Sequence, residues 1–269
     1  MGKTGKTALV TGASAGLGVE FSRLFAADGH DLILVARRRD KLEALAAELE
    51  KAHGVRAAVL AEDLIDRAAP DRIAGWLAER GAGVEFLVNN AGFGTTGVFA
   101  DLDVERELSL LQVNVTALVH LTRLLLPSMV ARKSGRILNV GSTAGFQPGP
   151  FMANYYASKA FVNSFTEALS FELGGTGVTA TLLCPGATHT EFAGVAGNDK
   201  SALFRAGAMN ASDVAAQAYR DMMKGRTIVI PGWRNKLGLQ SLRVAPRAMV
   251  RKVAAALNRT EGPRSLSAR

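Results

Sequence analysis

Three side chains in the middle of the sequence could together carry out proton transfer. Tyr155 and Lys159 are four residues apart in a stretch of helical periodicity, so they share one helix face and can reach each other. A phenol with its ordinary pKa of ~10 is a poor base near neutrality, and a neighbouring ammonium group lowers that pKa by stabilising the phenolate. A Tyr-x-x-x-Lys pair alone is more often a surface pair. Ser142, which follows an apolar run thirteen residues before Tyr155, favours an acid–base site instead.

A glycine-rich turn follows the first apolar run of the chain. The segment Thr11–Gly18 reads Thr-Gly-Ala-Ser-Ala-Gly-Leu-Gly and leads into a helical stretch. Glycines let the chain turn sharply and let backbone approach a pyrophosphate, and the free N–H groups at the helix N-terminus attract that anion. Glycines of this kind can also form only a tight turn. Their place between a first strand and a first helix favours a dinucleotide site.

The elements that must position these residues alternate along the chain. Apolar runs without polar alternation are typical of parallel strands covered on both faces, and each is followed by a stretch of helical period. The pattern predicts an α/β fold, a Rossmann-like doubly wound parallel sheet of seven strands in a single domain. The predicted strands are Thr7–Thr11, Asp31–Ala36, Arg56–Leu60, Glu85–Asn89, Arg136–Val140, Thr179–Cys184 and Thr227–Ile230. The predicted helices are Gly16–Asp28, Asp40–His53, Asp66–Arg80, Val104–Arg132, Asn154–Leu173 and Ser212–Lys224.

Charge divides the chain into a catalytic domain, residues 1–233, and a basic tail, residues 234–269. The tail carries nine Lys/Arg and one acid, so it accounts for the whole formal net charge of +8. Pro246 is well placed to open a basic amphipathic helix over Arg247–Arg259. Its apolar residues Met249, Val250, Val253 and Leu257 are expected to dock on the body or a subunit, with contact to an anionic membrane as the alternative.

Composition restricts the other functions. Cys184 is the only cysteine, and the four histidines lack ligand spacing, so we expect neither an intrachain disulfide nor a metal site. The main domain has no aromatic-interleaved basic groove, which makes nucleic-acid binding a weak interpretation. The best candidate membrane span, Val113–Ala131, is interrupted by polar residues, and the N-terminus shows no signal peptide. We therefore expect a cytoplasmic protein.

Taken together, the motifs resemble the short-chain dehydrogenases/reductases over residues 6 to about 233. The order of the motifs carries the likeness more than any one of them: the Gly-x-x-x-Gly-x-Gly loop, Asp63, Asn89-Asn90-Ala91-Gly92, Asn114, Ser142, Tyr155-x-x-x-Lys159, Pro185-Gly186, Thr188 and Thr190. The resemblance implies cofactor contacts from Gly12, Ser14, Ala15, Gly16, Leu17, Gly18, Arg37, Asp63, Leu64, Asn90, Ala91, Gly92, Tyr155, Lys159, Pro185, Gly186, Thr188 and Thr190.

The same resemblance implies a catalytic set of Asn114, Ser142, Tyr155 and Lys159. Tyr155, rather than the adjacent Tyr156, would give or take the proton, and Ser142 would hold the substrate oxygen. Lys159 would also bond the nicotinamide ribose, and Asn114 would hold a water linking Lys159 to solvent. An asparagine in an apolar helix can also simply hydrogen-bond locally.

The end of the second predicted strand indicates which nicotinamide is used. An NAD site commonly has an acid there to bond the ribose 2′-hydroxyl, whereas this strand ends in Ala36 followed by three arginines. Arg37 can grip a 2′-phosphate and stack on adenine. The arginines could instead be an exposed basic start to the second helix. The missing acid favours NADP(H) over NAD(H).

The implied activity is hydride transfer between NADP(H) and a small hydrophobic carbonyl compound or its secondary alcohol. No Arg/Lys clamp for an anionic substrate is evident. Two alternatives stay open, a reductase of 3-oxoacyl chains or another lipid ketone at a membrane surface, and a non-catalytic cofactor-sensing protein. We expect a homodimer or homotetramer. The candidate substrate-side residues, which could also be ordinary core, are Phe93, Phe146, Phe151, Met152, Phe192, Val195, Leu203 and Phe204.

Overall fold

The computed structural model describes residues 4–197 and 208–259. The strands are β1 Thr7–Thr11, β2 Asp31–Ala36, β3 Ala57–Ala61, β4 Phe86–Asn89, β5 Gly135–Val140, β6 Val178–Leu183, β7 Thr188–His189, β8 Met209–Asn210 and β9 Ile228–Val229. Seven of them form one fully parallel sheet in the order β3-β2-β1-β4-β5-β6-β9, which confirms the predicted doubly wound fold. The separate short parallel pair, β7–β8, was not predicted.

Helices connect the strands and cover both faces of the sheet. They are α1 Gly16–Ala27, α2 Arg39–His53, α3 Ala69–Glu79, α4 Val104–Leu111, α5 Ala117–Ala131, α6 Ala153–Glu172, α7 Phe192–Ala196, α8 Ala211–Met223, α9 Trp233–Leu242 and α10 Arg247–Asn258. Most predicted ends are correct to within one residue. The predicted start of α3 at Asp66 is wrong, because the Asp66 carboxylate accepts the Ala68 N–H in a turn that delays the helix.

Two apolar cores hold the layers together, one on each face of the sheet. Alternate residues of a strand enter opposite cores, so Val10 packs towards α1, α2 and α8 while Leu9 packs towards α3, α5 and α6. The sheet order reverses at β1, which pairs with β2 on one side and β4 on the other. Loops that leave these strands at their carboxyl ends therefore open a crevice, the usual ligand site of such sheets.

The long helix predicted over Val104–Arg132 contains an unpredicted irregularity. A π-helical turn, Gln112–Thr116, separates α4 from α5 and places Asn114 in the widened turn. Of the helices in the described part of the chain, the continuous Val104–Ala131 stretch is long and apolar enough to cross a membrane. One side of it is core, however, with Leu110, Leu121 and Met129 fully buried.

The C-terminal helix α10 docks on the body, but only Val250 and Leu257 of the predicted stripe face inward. Val250, Ala254 and Asn258 are buried, whereas Met249 is 59% and Val253 49% exposed. The helix is rotated relative to the predicted orientation because the polar Asn258 has buried hydrogen-bond partners and so belongs to the inner face. Helix α9 was not predicted at all.

Candidate active site

A single cleft of about 390 Å³ lies at the carboxyl ends of the strands and runs from the glycine loop to Tyr155. Most residues expected from the sequence line it. Gly18 and Asn114 are not part of the lining, and they support it from behind. The expected residues that line the cleft are Gly12, Ser14, Ala15, Gly16, Leu17, Arg37, Asp63, Leu64, Asn90, Ala91, Gly92, Ser142, Tyr155, Lys159, Pro185, Gly186, Thr188 and Thr190.

The glycine loop forms a cradle that side chains would fill. Gly12 has φ +66°, and a Cβ there would lie 2.8 Å from the Asn90 amide nitrogen. A Cβ on Gly18 would overlap the Gly12 carbonyl oxygen, so both positions require glycine. Helix α1 begins at Gly16 with no side chain capping its first N–H groups. Those donors face the cleft and suit an anion.

The Asn-Asn-Ala-Gly segment braces this cradle from the neighbouring strand. The Asn90 amide donates to the carbonyls of Thr11 and Gly12 at 2.9 and 3.3 Å. The Thr11 hydroxyl in turn accepts the backbone N–H groups of Asn90 and Ala91, both at 3.0 Å. Protein groups alone therefore fix the carboxyl ends of β1 and β4 relative to each other.

The proton-transfer residues come together on the opposite wall of the cleft. Ser142 lies just after β5, and the half-buried Tyr155 and the buried Lys159 project from the first turns of α6. Ser142 and Tyr155 both line the cleft there. The Lys159 ammonium donates to the Val140 carbonyl at 2.7 Å and lies 5.9 Å from the centre of the Tyr155 ring. The arrangement places a phenol, a hydroxyl and a cation around one point.

Burial changes the acid–base properties of this pair. Loss of solvent raises the pKa of Tyr155 to about 12, and the polar Ser142 hydroxyl only partly opposes this rise. Burial likewise lowers the pKa of Lys159 to about 8. The expected lowering of the Tyr155 pKa by Lys159 is therefore wrong, because desolvation of the phenolate dominates and Lys159 is bonded to a carbonyl instead. Tyr155 is held protonated at neutral pH, as a proton donor must be.

Asn114 occupies the π-helical turn and is fully engaged with protein groups. Its carbonyl oxygen accepts the Phe93 N–H at 3.0 Å, while its amide donates to the Phe93 carbonyl at 3.0 Å and the Ser158 hydroxyl at 3.1 Å. These contacts fix the loop after β4 against α6. π-Helical turns are frequent at functional sites. The water-holding role implied by the resemblance stays a prediction.

Sequence reasoning missed Asn163, which holds Ser142 in place. The Asn163 amide donates to the Ser142 carbonyl at 3.1 Å, and its oxygen accepts the Ser142 N–H at 3.4 Å. Its side chain is 4% exposed. Asn163 lies one helical turn after Lys159, so the signal that could have found it is a polar residue on the buried face of α6.

Two arginines reach the end of the cleft next to Ala36. Arg38 donates to the Ser14 hydroxyl at 3.1 Å and pairs with Glu191 at 2.8 Å, and Lys41 also contacts Glu191 at 3.1 Å. Arg37 lines the cleft and makes no hydrogen bond or ion pair with any residue in the described ranges. Its guanidinium is therefore available to an anion, while Arg38 ties the glycine loop to the segment after β6.

The substrate side of the cleft is apolar. Phe93, Met152, Phe192 and Val195 line it as expected, whereas Phe146 and Phe151 lie outside the lining. Leu203 and Phe204 fall outside the described residues. The Phe192 ring packs 5.2 Å from that of Tyr155, which brings the apolar wall up to the proton donor. No group of His, Cys, Asp and Glu side chains suited to a metal ion occurs within residues 4–197 and 208–259.

The family to which this chain belongs follows from comparison with known proteins. Residues 6–201 match the family model described as short chain dehydrogenase. The protein is a short-chain dehydrogenase/reductase. It is thus a member of an oxidoreductase family that uses a nicotinamide nucleotide and acts on small molecules.

Individual relatives agree on the fold and differ in cofactor. The chain is 38% identical over 183 residues to ketoacyl reductase HetN from a Nostoc strain; the match covers 68% of this chain and 63% of that relative, less than two thirds of its length. A short-chain dehydrogenase from Sphingobium yanoikuyae, solved in complex with NADPH, superposes with TM-score 0.81 at 34% identity and 91% and 94% coverage of the two chains. A short-chain dehydrogenase/reductase from Burkholderia phymatum in complex with NAD gives TM-score 0.79 at 26% identity, with 97% and 98% coverage.

The residues present fit the dinucleotide that this family uses. The cradle at Gly12 and Gly18 has room only where Cβ atoms are absent, and the N-terminus of α1 offers backbone donors beside it. Arg37 and Ser14 lie at one end of the same cleft and Tyr155 and Lys159 at the other. An elongated anionic ligand with a reactive end matches both the shape and the charge of this cleft.

Proposed function

We propose that the protein interconverts a hydrophobic ketone or aldehyde and the corresponding alcohol, with NADP(H) as its cofactor and Tyr155 as proton donor or acceptor. One observation carries the proposal. Ser142 and Tyr155 line one wall of the cleft that begins at the glycine cradle, and the Lys159 ammonium lies beside the Tyr155 ring. This wall supplies a proton beside the place where a nicotinamide would end.

The chain's own residues have separable tasks in this reaction. Bound nicotinamide supplies or accepts the hydride. The Ser142 hydroxyl orients the carbonyl oxygen, and Tyr155 gives that oxygen its proton. The Lys159 ammonium stabilises the negative charge that Tyr155 acquires as the proton leaves. The apolar side chains Phe93, Met152 and Phe192 exclude water from this point.

The preference for NADP(H) rests on the charges at the end of β2. This strand ends in Ala36, where an acid would bond a 2′-hydroxyl, and the exposed Arg37 follows with its guanidinium unpaired among the described residues. A guanidinium binds a phosphate monoester through two parallel hydrogen bonds. The NADPH complex of the Sphingobium relative supports this preference, and the NAD complex of the Burkholderia relative shows that the fold admits either.

A substrate panel tests the activity directly. Ketones, aldehydes and 3-oxoacyl thioesters would be supplied with NADPH and, in parallel, NADH, and the loss of reduced-nicotinamide absorbance measured. We expect turnover of apolar ketones with NADPH. If no carbonyl compound is reduced with either cofactor while both bind, the protein is a cofactor-sensing protein and the proposal fails.

The cofactor preference has its own test in Arg37→Asp. A carboxylate there repels a 2′-phosphate and can accept a hydrogen bond from a 2′-hydroxyl, so kcat/KM with NADPH should fall at least ~10-fold while that with NADH holds or rises. Arg39→Asp, an equal charge change at an exposed residue outside the cleft, is the matched control. An unchanged ratio in the Arg37 variant would assign the phosphate to Arg38 and Ser14.

A second candidate activity is reduction of 3-oxoacyl chains. It is favoured by the apolar substrate side of the cleft and by the likeness to a ketoacyl reductase. The thioesters in the panel separate it from general ketone reduction, because a 3-oxoacyl reductase would show the larger kcat/KM with them.

We also propose that the protein self-associates as a homodimer or homotetramer. Helices α5 and α6 present exposed apolar side chains, notably Leu124, Phe161 and Phe171, the last 90% exposed. An isologous contact between such faces would remove them from water. Light scattering of the intact protein and of Phe161→Asp tests the assignment, since the charge should shift the mass towards the monomer.

A further inference from the structure

The last turn of the C-terminal helix α10 is built into the substrate end of the cleft. Asn258 is 1% exposed, and both ends of its amide are used. The oxygen accepts the Tyr156 hydroxyl at 3.0 Å, and the nitrogen donates to the Pro150 carbonyl at 3.1 Å. These partners lie more than 100 residues earlier in the chain. A buried amide with both ends satisfied fixes one position and rotation of the helix, because any other would leave the amide unpaired.

The residue that this anchor places in the cleft is Leu257. It is the one residue of α10 in the lining, and it lies there with Met152 and Tyr156. Directly after α10, the Arg259 guanidinium lies 5.7 Å from the centre of the Phe151 ring. Phe151 itself has φ +67°, a conformation that side chains other than glycine adopt at a cost. The end of α10 thus contacts a strained loop that faces the site.

The part of the cleft lined by Leu257, Met152 and Tyr156 is separate from the cofactor end. Tyr156 adjoins the proton donor Tyr155, with their ring centres 6.0 Å apart, and Met152 packs in the same small cluster. The cradle at Gly12 and the arginine Arg37 belong to the opposite end. The outer side of α10, with Met249 and Val253, faces solvent and contributes nothing to the cleft.

We infer that Leu257 limits the size of the hydrophobic group next to the reacting carbonyl, and that Asn258 is the positioning residue that holds Leu257 there. The inference rests on the proposed function, since it concerns the substrate of that same site. The substrate class it implies is a ketone or secondary alcohol whose larger substituent is uncharged and ends against Leu257.

Leucine 257 is tested by changing its volume in both directions. Leu257→Ala should raise kcat/KM for ketones with a long or bulky substituent relative to a short methyl ketone by about 10-fold or more, and Leu257→Trp should lower the same ratio, since pocket volume discriminates on this scale. Met249→Ala, an equally large truncation on the outer face of α10, is the matched control and should leave the ratio unchanged. Equal ratios in all four proteins would overturn the inference.

A binding measurement keeps this test independent of turnover. The rise in melting temperature of the NADP-loaded protein is measured with a series of secondary alcohols of increasing size, which requires no reaction. If the wild type reduces no carbonyl compound, the proposed function fails. The inference survives that failure only if the alcohol size that gives the largest rise in melting temperature differs between Leu257→Ala and Leu257→Trp. If that size is the same in both variants, the inference is overturned.

Asn258 is tested through its coupling to Leu257. Asn258→Ala should change the substrate-size ratio in the same direction as Leu257→Ala, mainly through KM, and the double variant should add little to either. Tyr156→Phe removes one of the two anchors and should give a smaller shift of the same sign. A lower melting temperature in Asn258→Ala with an unchanged ratio would make Asn258 merely structural and overturn its positioning role.

Discussion

The two ends of the cleft are built in different ways. At the cofactor end, the cradle, its helix and its brace come from β1, α1 and β4, and Asn90 and Thr11 join them through hydrogen bonds to backbone at neighbouring strand ends. At the substrate end, the wall is assembled from side chains of separate loops and the C-terminal helix, such as Phe192, Met152 and Leu257. The proposed cofactor site therefore depends on the sheet itself, whereas the proposed substrate site depends on side-chain contacts between distant segments.

Tyr155→Phe is the strongest test of this division, because Tyr155 packs against the apolar substrate side and lies outside the glycine cradle. Loss of the hydroxyl removes the proton donor, and turnover should fall by about 10²–10⁴-fold, the usual contribution of general acid–base catalysis. NADPH affinity, measured by fluorescence titration, should change little because the cradle is untouched. Tyr156→Phe keeps the donor and should be far milder. A Tyr155 variant within about threefold of wild-type activity would remove Tyr155 from the reaction.

The cofactor end could be predicted from the sequence because its signals are local. Glycines at Gly12 and Gly18, an apolar strand before them and a helix after them are neighbours in the chain, and so are Tyr155 and Lys159. The alternation of strands and helices along the chain likewise predicts the doubly wound parallel sheet. Each of these motifs is contained within a few neighbouring residues, and the structure places the motifs in one cleft.

The substrate end could not be predicted in this way, because its residues act through partners far along the chain. Asn258 is an ordinary polar residue in a basic helix until its contact with Tyr156 is known. Helix α9 gives no periodic signal, since none of its residues is buried. The predicted direction of the Tyr155 pKa shift was wrong for a related reason. The spacing to Lys159 is visible in the sequence, but the burial that outweighs it is not.

Asn163→Ala tests whether the position of Ser142 depends on a side-chain contact, as the substrate end of the cleft does. Without the two hydrogen bonds to its backbone, Ser142 can shift, and a misplacement of ~1 Å can cost up to ~10²-fold in rate. We expect kcat to fall by about 10- to 100-fold with NADPH affinity retained. Combining it with Ser142→Ala should add little, because both act on one hydroxyl.

A matched control separates this effect from general loss of stability. Asn139 is equally buried and hydrogen-bonded to Asn89 and Thr166, but it does not contact Ser142. Asn139→Ala should lower the melting temperature without a comparable loss of kcat. Similar kcat losses in both variants would show that Asn163 acts through stability alone.

The pH dependence of reduction should report Lys159, which serves both ends of the cleft. The pKa of Lys159 is lowered to about 8, so its ammonium is charged below pH 8 and loses its proton as the pH rises through that value. Tyr155, with its pKa raised to about 12, stays protonated over the same range. The kcat/KM for ketone reduction should therefore be level below about pH 8 and fall above it. Lys159→Arg keeps the charge at high pH and should remove the fall; a profile level to pH 10 in the wild type would contradict the assignment.

The last prediction concerns a contact outside the cleft, on the outer face of α10. Arg247, Arg251 and Lys252 are exposed there beside the apolar Met249 and Val253. Such a face suits an anionic membrane surface, to which each basic residue contributes about 1 kcal/mol, screened over a Debye length of roughly 8 Å at physiological salt. We therefore predict that the intact protein binds vesicles containing anionic lipid at low salt and is released as salt rises.

Neutralising the face is a better test than truncating the chain, because deletion of α10 would also remove Asn258 and uncover the body surface against which Val250 is buried. Replacing Arg247, Arg251 and Lys252 with glutamine should weaken vesicle binding by about 10²-fold, as expected for a loss of about 3 kcal/mol. The same replacement at Arg39, Lys51 and Arg67, which are exposed on other parts of the body, removes equal charge and should have a smaller effect. Activity on soluble ketones should persist in both variants, since none of these side chains lines the cleft.

Equal losses of vesicle binding in the two variants would mean that only net charge attracts the lipid. No binding of the intact protein at low salt would assign the outer face of α10 to solvent. Specific loss in the first variant would show that one helix carries a membrane contact on its outside and the substrate wall on its inside, about one helix diameter apart.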